Sequence, residues 1–254
     1  MGGRSGWRGR RCGSCLLSGP RWVEAQVRLP ASLPPGPGKR YSADRDEPLN
    51  RWLETRLWAL GAGGPVLDLG CGRGYWLRRM ASAGLRPIGI EDDPARTAEA
   101  GRQAPVTVAD ASHLPVADGS VRLVWCIHVL HHLEHPEAAL AEVRRVLRPG
   151  GHIVMAETVE DNPIVRVGRR LWPAWDGVAV RSRFTAASLV AMVRAAGLAI
   201  VDQRQHSLVS FGAWALPAGD RWAWVALSRA EGILPRRLDR WGAHFECVSS
   251  SPGP

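Results

Sequence analysis

Three carboxylates each close a short apolar run. Asp68 follows Val66 and Leu67, Glu91 follows Pro87-Ile-Gly-Ile90, and Asp110 follows Val106-Thr-Val-Ala109. Beyond Asp68 the chain reads Leu69-Gly-Cys-Gly-Arg-Gly74, with glycine at every second position: Gly70, Gly72 and Gly74 around Cys71. Glycine has no Cβ, so the backbone can turn sharply there and a ligand can approach it closely. A strand that feeds such a loop into a helix N-terminus builds a small-molecule site at the carboxyl end of a parallel sheet. A carboxylate at the next strand end, Glu91, can accept from both hydroxyls of a ribose. One strand further on, Asp110 can accept from an exocyclic amine such as adenine N6. The three acids together describe a site for an adenosine-containing cofactor.

A second group could move protons. His128, His131 and His132 follow the fourth apolar run, 121–128, in the stretch His128-Val-Leu-His-His132. Histidine is the natural general base near neutral pH, so all three are candidate catalytic residues. His131, Glu134 and His135 also have the spacing of a helical metal cluster, but no third confirmed ligand accompanies them and no metal is expected. Cys12 and Cys15 have CxxC spacing without a second pair, which falls short of a zinc site.

These residues need a scaffold, and the pattern supplies one. Leu49, Trp52, Leu53, Leu57 and Leu60 recur at helical spacing and Gly61 stops the run, so a helix is expected over one edge of the core. Strands are read at 65–69, 87–91, 106–109, 121–128 and 152–157. Helices are read at about 75–83, 93–103 and 136–147. Strands alternating with helices imply a parallel sheet with crossover helices on both faces. Beyond 158 the pattern loosens. Residues 185–196 read as a helix N-capped by Thr185, 198–205 as a strand, and 244–249 as a faint last strand.

The formal charge of +9 is concentrated at one end. Residues 1–40 carry eight cations and Glu24 alone, leaving about neutral charge for the rest. A polyanion partner is therefore not expected, and the chain has no Asn-Pro-Pro-Tyr-type motif after the fourth strand that would point to nucleic acid. The first 40 residues are rich in Gly, Pro and Arg and lack periodicity, so a disordered basic tail is expected, with one folded domain over 41–254. Five cysteines, an odd number, argue against a disulfide framework. No apolar core of a secretory signal and no run of about 20 apolar residues is present, so a cytoplasmic protein without a transmembrane segment is expected.

The order of the motifs at 66–74, Gly89-Ile-Glu91, 110–115, His128-Val-Leu-His-His132 and Val146-Leu-Arg-Pro-Gly-Gly151 resembles the class I S-adenosylmethionine-dependent methyltransferases. The nearest likeness is the broad methyltransferase type 11 group that includes ubiquinone and menaquinone biosynthesis enzymes, over residues 45–160. The glycine spacing is G-x-G-x-G, whereas a dinucleotide fingerprint has G-x-G-x-x-G. The resemblance implies a doubly wound, mostly parallel seven-stranded sheet with one antiparallel edge strand. It implies S-adenosylmethionine as cofactor. It implies that 68–74 (Asp68, Gly70, Cys71, Gly72, Gly74) hold the methionine and sugar, and that Glu91 takes the ribose hydroxyls. It implies that Asp92 and Asp110 flank the adenine with the Ala111 backbone, and that Cys126 and His128 line the site near the methionine amino group. An NAD-dependent oxidoreductase, and a protein of the same fold that binds cofactor without catalysis, are the alternatives.

Specificity for a small-molecule methyl acceptor is expected outside the cofactor core. Segment 159–183 is basic and aromatic, and Arg169, Arg170 and Trp172 are expected to border an acceptor pocket. Segment 207–241, rich in Trp, is expected to act as a partial lid over an apolar acceptor or to lie on a membrane. The oligomeric state is not readable from the sequence.

Overall fold

In the computed structural model the described residues are 47–171, 180–211 and 221–253; residues 1–46, and with them the expected tail and Cys12 and Cys15, lie outside them. Seven strands form one sheet: β1 (Pro65–Leu69), β2 (Arg86–Glu91), β3 (Val106–Val108), β4 (Val121–Ile127), β5 (Leu147–Thr158), β6 (Ala199–His206) and β7 (His244–Ser250). Their order is β3-β2-β1-β4-β5-β7-β6. Strands β1 to β5 pair in parallel, and β7 runs antiparallel to both β5 and β6. The antiparallel strand was expected at the edge. It lies one place in from it, because β6 pairs outside β7 and forms the rim.

Side chains alternate along every inner strand, and both faces are apolar. Val124 and Cys126 of β4 join Ile153 and Met155 of β5 on one face, under α4 (Pro136–Val146) and α6 (Ala186–Ala195). Leu123 and Trp125 join Val154 and Ala156 on the other, under α1 (Glu47–Gly61) and Met80 of α2 (Tyr75–Ser82). This is why the strands read as continuous hydrophobic runs: a parallel sheet must bury both sides. Helix α1 packs through Leu53, Leu57 and Trp58 onto the face of β4 and β5, so it covers the middle of the sheet rather than an edge.

Helix ends follow their local chemistry. Asp93 caps α3 (Pro94–Ala100) by accepting from Ala95 N at 2.8 Å, with Pro94 in the first turn. Thr185 and Ser188 form a reciprocal capping box at the start of α6. Strand β5 begins at Leu147, earlier than the pattern suggested, because the Arg148-Pro-Gly-Gly151 turn joins the strand across an irregularity between Val121 and Leu123. No helix among the described residues is long and apolar enough to cross a membrane.

Candidate active site

The carboxyl ends of β1, β2, β4 and β5 converge on one rim. Gly70, Gly72 and Gly74 have φ of 66°, 55° and 84°, the left-handed region that strains any residue with a Cβ. A Cβ on Gly70 would stand 2.6 Å from Val129 Cγ2, so the glycine loop and the loop after β4 are in close contact. A Cβ on Gly72 would meet nothing within 4 Å, so this side of the loop is open. Cys71 is buried beneath the loop with Leu77 and Ala100, and a Cβ on Gly89 would collide with its sulfur at 2.7 Å. Burial pushes the Cys71 thiol well up, which makes it a packing residue rather than a nucleophile.

Asp68 and Glu91 are both almost fully buried. Glu91 Oε2 accepts from Gly72 N at 2.8 Å, and Oε1 from Asp93 N at 3.3 Å. The carboxylate thus props up the middle of the glycine loop. Arg96 stands 3.6 Å from Oε1. Burial raises the Glu91 carboxyl, and the two backbone N–H donors oppose it. Asp68 Oδ2 is buried without a hydrogen-bond partner. Burial, with Glu91 nearby, pushes its carboxyl well above the usual range. An orphaned carboxylate oxygen beside an open glycine cradle fits a ligand that brings a cation and hydroxyl groups, such as the amino acid and ribose of S-adenosylmethionine. Asp92 and Asp110 are exposed at the ends of β2 and β3. Asp110 Oδ1 accepts from the N and Oγ of Ser112, both at 2.7 Å, and these bonds lower its carboxyl. Ala111 is buried behind it.

The histidines divide. His131 sits in the 3₁₀ turn Leu130–His132. Its Nδ1 lies 2.6 Å from Oε2 of Glu157, the penultimate residue of β5. Oε1 of Glu157 accepts from Val129 N and Leu130 N at 3.0 and 2.7 Å. Glu157 is fully buried. Burial alone would raise its carboxyl, but His131 and the backbone donors outweigh this and hold it below its ordinary value. A carboxylate can only accept, so His131 Nδ1 carries a proton, and in the neutral imidazole it is Nε2 that bears the lone pair. The backbone oxygen of His131 accepts from Arg181 N and Ser182 N at 2.9 and 3.1 Å, pinning the turn.

His128 follows β4 in a left-handed conformation, φ 57°. Burial pushes its imidazole down to about 4. It is neutral at pH 7 but a poor base there. The His132 ring lies against that of His131, centroids 3.9 Å apart and planes tilted by 48°. Cys126 is fully buried in the core, so its side chain packs the sheet and the rim belongs to His128. Glu134 and His135 are exposed and pair with Arg181 and Glu137, away from His131. Among the described residues the ligand atoms that do gather, within 4.8 Å, are those of His128, His131 and Glu157. Both Glu157 oxygens already accept hydrogen bonds, so the chemistry of this group is that of an oriented imidazole.

The sequence pattern ends the fifth strand at Glu157 without marking it as a site residue, although it is a fourth carboxylate at a strand end, as Asp68, Glu91 and Asp110 are. His244, His206 and Glu246 carried no such signal. His244 opens β7 with its ring 5.6 Å from His128 and 5.4 Å from His206. His206 Nε2 lies 3.0 Å from Oε1 of Glu246. Glu246 also accepts from Arg204, and these two partners overcome its burial and hold it at about 2. Of the expected substrate residues, Arg170 is exposed on α5 (Pro163–Leu171). The side chain of Arg169, and Trp172 entirely, lie outside the described residues.

A family profile described as a methyltransferase domain matches residues 67–155, which span the glycine loop to β5. An uncharacterised methyltransferase of Mycobacterium bovis (strain BCG / Pasteur 1173P2) is 30% identical over 195 residues, covering 75% of this chain and 72% of the relative. The chain belongs to the class I S-adenosylmethionine-dependent methyltransferases. An uncharacterised methyltransferase of Mycobacterium avium (strain 104) is 39% identical over 116 residues, 41% of this chain. The chain spans 45% of the length of that curated relative. A SAM-dependent methyltransferase from Archaeoglobus fulgidus shares the fold, with a TM-score of 0.59 at 15% identity over 80% of this chain and 93% of that one. This membership places the chain among methyltransferases rather than nicotinamide oxidoreductases.

Proposed function

We propose that the protein binds S-adenosylmethionine in the 68–74 loop and transfers its methyl group to a small-molecule acceptor with an apolar or lipid-like body. The observation that carries this reading is the contact of Gly70 with Val129, which sets the glycine loop and its two buried acids against the loop that holds the His131–Glu157 pair. In this reading Asp68 takes the methionyl ammonium, which restores its carboxylate. Glu91 keeps Gly72 in place and takes the ribose hydroxyls, and Asp92, Asp110 and Ala111 border the adenine.

The bound sulfonium supplies an electrophilic methyl group and leaves as a neutral thioether. What the protein must add is alignment and, for an acceptor O–H, N–H or acidic C–H, a destination for the proton. His131 Nε2 is that destination. Glu157 keeps the proton on Nδ1 and stabilises the imidazolium that forms, the logic of a carboxylate–histidine pair. Arg169, Arg170 and Trp172 are assigned to the acceptor's polar end, with 207–241 as a partial lid. The test is methyl transfer from labelled S-adenosylmethionine into fractions of a cell extract, followed by mass spectrometry of the labelled product. Label in one apolar fraction is expected. Cofactor binding without label in any fraction would favour the alternative of a non-catalytic binding protein.

A further inference from the structure

Between α7 (Arg221–Glu231) and β7 the chain runs Gly232-Ile-Leu-Pro-Arg-Arg-Leu-Asp-Arg-Trp241, ending in the 3₁₀ turn Arg236–Trp241. Ile233 is 86% exposed, Trp241 45% and Leu234 37%. Single exposed apolar side chains are ordinary, but three within nine residues are a patch. Arg236, Arg237 and Arg240 are exposed in the same stretch and make no ion pair among the described residues. Arg240 lies over the Trp241 ring, 5.7 Å from its centroid. The acid that precedes the patch does not neutralise it. Glu231 turns back to accept from Val209 N, from Ser210 N at 2.8 Å and from Ser210 Oγ at 2.9 Å. Asp239 is the one acid left among three arginines.

The same composition recurs on a neighbouring element. On α5, Val165 packs inward on Phe211 and Ala243, and Ala243 lies two residues beyond Trp241. The outward side of α5 shows Ile164 and Val167, 57% exposed for the latter, beside exposed Arg166 and Arg170.

We propose that segment 233–241 docks the protein on an anionic lipid surface. Ile233 and Leu234 enter the acyl boundary, Trp241 sits at the headgroups, and Arg236, Arg237 and Arg240 face the lipid phosphates. Tryptophan is favoured at that depth, and basic residues near an anionic leaflet add attraction that salt weakens. Charge complementarity selects this occupant. A second copy meeting the patch about a two-fold axis would bring the arginines of both chains together. A nucleic acid would pair with the arginines but leave Ile233 and Leu234 in water. Trp241 lies three residues before His244, whose ring faces His128, so the docked surface adjoins the candidate active site. That a bilayer then hands over an apolar acceptor rests on the methyl-transfer reading; the docking does not.

The test is co-sedimentation of the full chain with vesicles of phosphatidylglycerol and phosphatidylcholine in equal parts, against phosphatidylcholine alone. Binding to the anionic vesicles only, weakening as salt rises, is expected. Ile233→Asp and the triple change Arg236→Gln, Arg237→Gln, Arg240→Gln should each lower the partition coefficient by about tenfold or more, with the thermal midpoint as a control for folding. Three results would overturn the proposal. One is no binding to anionic vesicles. Another is binding untouched by either variant, which would assign it elsewhere, including the basic residues 1–40. The third is a vesicle-free dimer of the full chain that Ile233→Asp dissolves, which would make the patch a contact between copies.

Discussion

Glu157→Gln changes one atom and should switch off the proposed base. Glu157 holds three donors: Val129 N and Leu130 N on Oε1, and His131 Nδ1 on Oε2 at 2.6 Å. In glutamine the carbonyl oxygen can keep the two backbone bonds, because they converge on one atom. The amide nitrogen then faces His131 and is a donor, so Nδ1 must become the acceptor and the proton must move to Nε2. The Nε2 lone pair that the proposed base requires is lost. General-base catalysis contributes about 10²–10⁴ in rate, and kcat should fall by that factor while the KM for the cofactor stays unchanged. Stability should fall by less, about 1–3 kcal/mol, because a charged hydrogen bond is lost but a buried charge is removed with it. For a domain of this size that is a drop in Tm of roughly 3–10 °C. Two assays separate the effects. Imidazole ¹H–¹⁵N correlation spectra read the His131 tautomer directly and need no acceptor, and single-turnover kinetics with the acceptor returned by the extract screen read the rate. An unchanged tautomer, or an unchanged kcat with a flipped tautomer, would refute the reasoning.

Two other outcomes follow from the same rim. Glu91→Ala should weaken S-adenosylhomocysteine binding by about 1–3 kcal/mol in calorimetry, and, because Glu91 also supports Gly72 N–H from a buried position, it should lower the urea midpoint as well; unchanged affinity would remove Glu91 from the site. Acid should destabilise the fold early. His128 is held at about 4 and His244 well below its ordinary value, so as pH falls below about 6.5 the unfolded chain takes up protons the folded chain refuses, and stability drops until the folded pKa is passed. For His128 the loss is on the order of 3 kcal/mol by pH 4. Glu246, depressed to about 2, extends the loss below pH 4.5, the same direction for a carboxylate. Urea titrations at several pH values should show this slope, and His128→Ala should flatten it; a flat profile in the unaltered protein would contradict the burial argument.

What the sequence disclosed depended on whether the signal was local. Strand β1 was read to the residue, 65–69, because an apolar run, a carboxylate and a glycine loop all lie within ten positions. The cap at Thr185 was likewise legible from its own residue type. Strand β7 was faint for a physical reason. It is inserted between β5 and β6 and buried on both faces, so His244, Glu246 and Ser249 are buried together with Phe245 and Cys247, and no alternation survives. The polar residues there are tolerated because Arg204 and His206, from the neighbouring strand, answer Glu246. Such pairings across 40 residues cannot be seen in a linear pattern. The three histidines after β4 looked equivalent in the sequence. Only the fold distinguishes them, by giving His131 a buried carboxylate and His128 a desolvated ring.

The central claim is that the glycine loop, Asp68 and Glu91 form a site for the cofactor that supplies the methyl group. The most direct measurement is a calorimetric titration of the full chain with S-adenosylhomocysteine and, separately, with NAD. Saturable one-to-one binding of S-adenosylhomocysteine, weakened in Asp68→Ala, with no heat from NAD, is the predicted result. Saturable binding of NAD with none of S-adenosylhomocysteine would contradict the account.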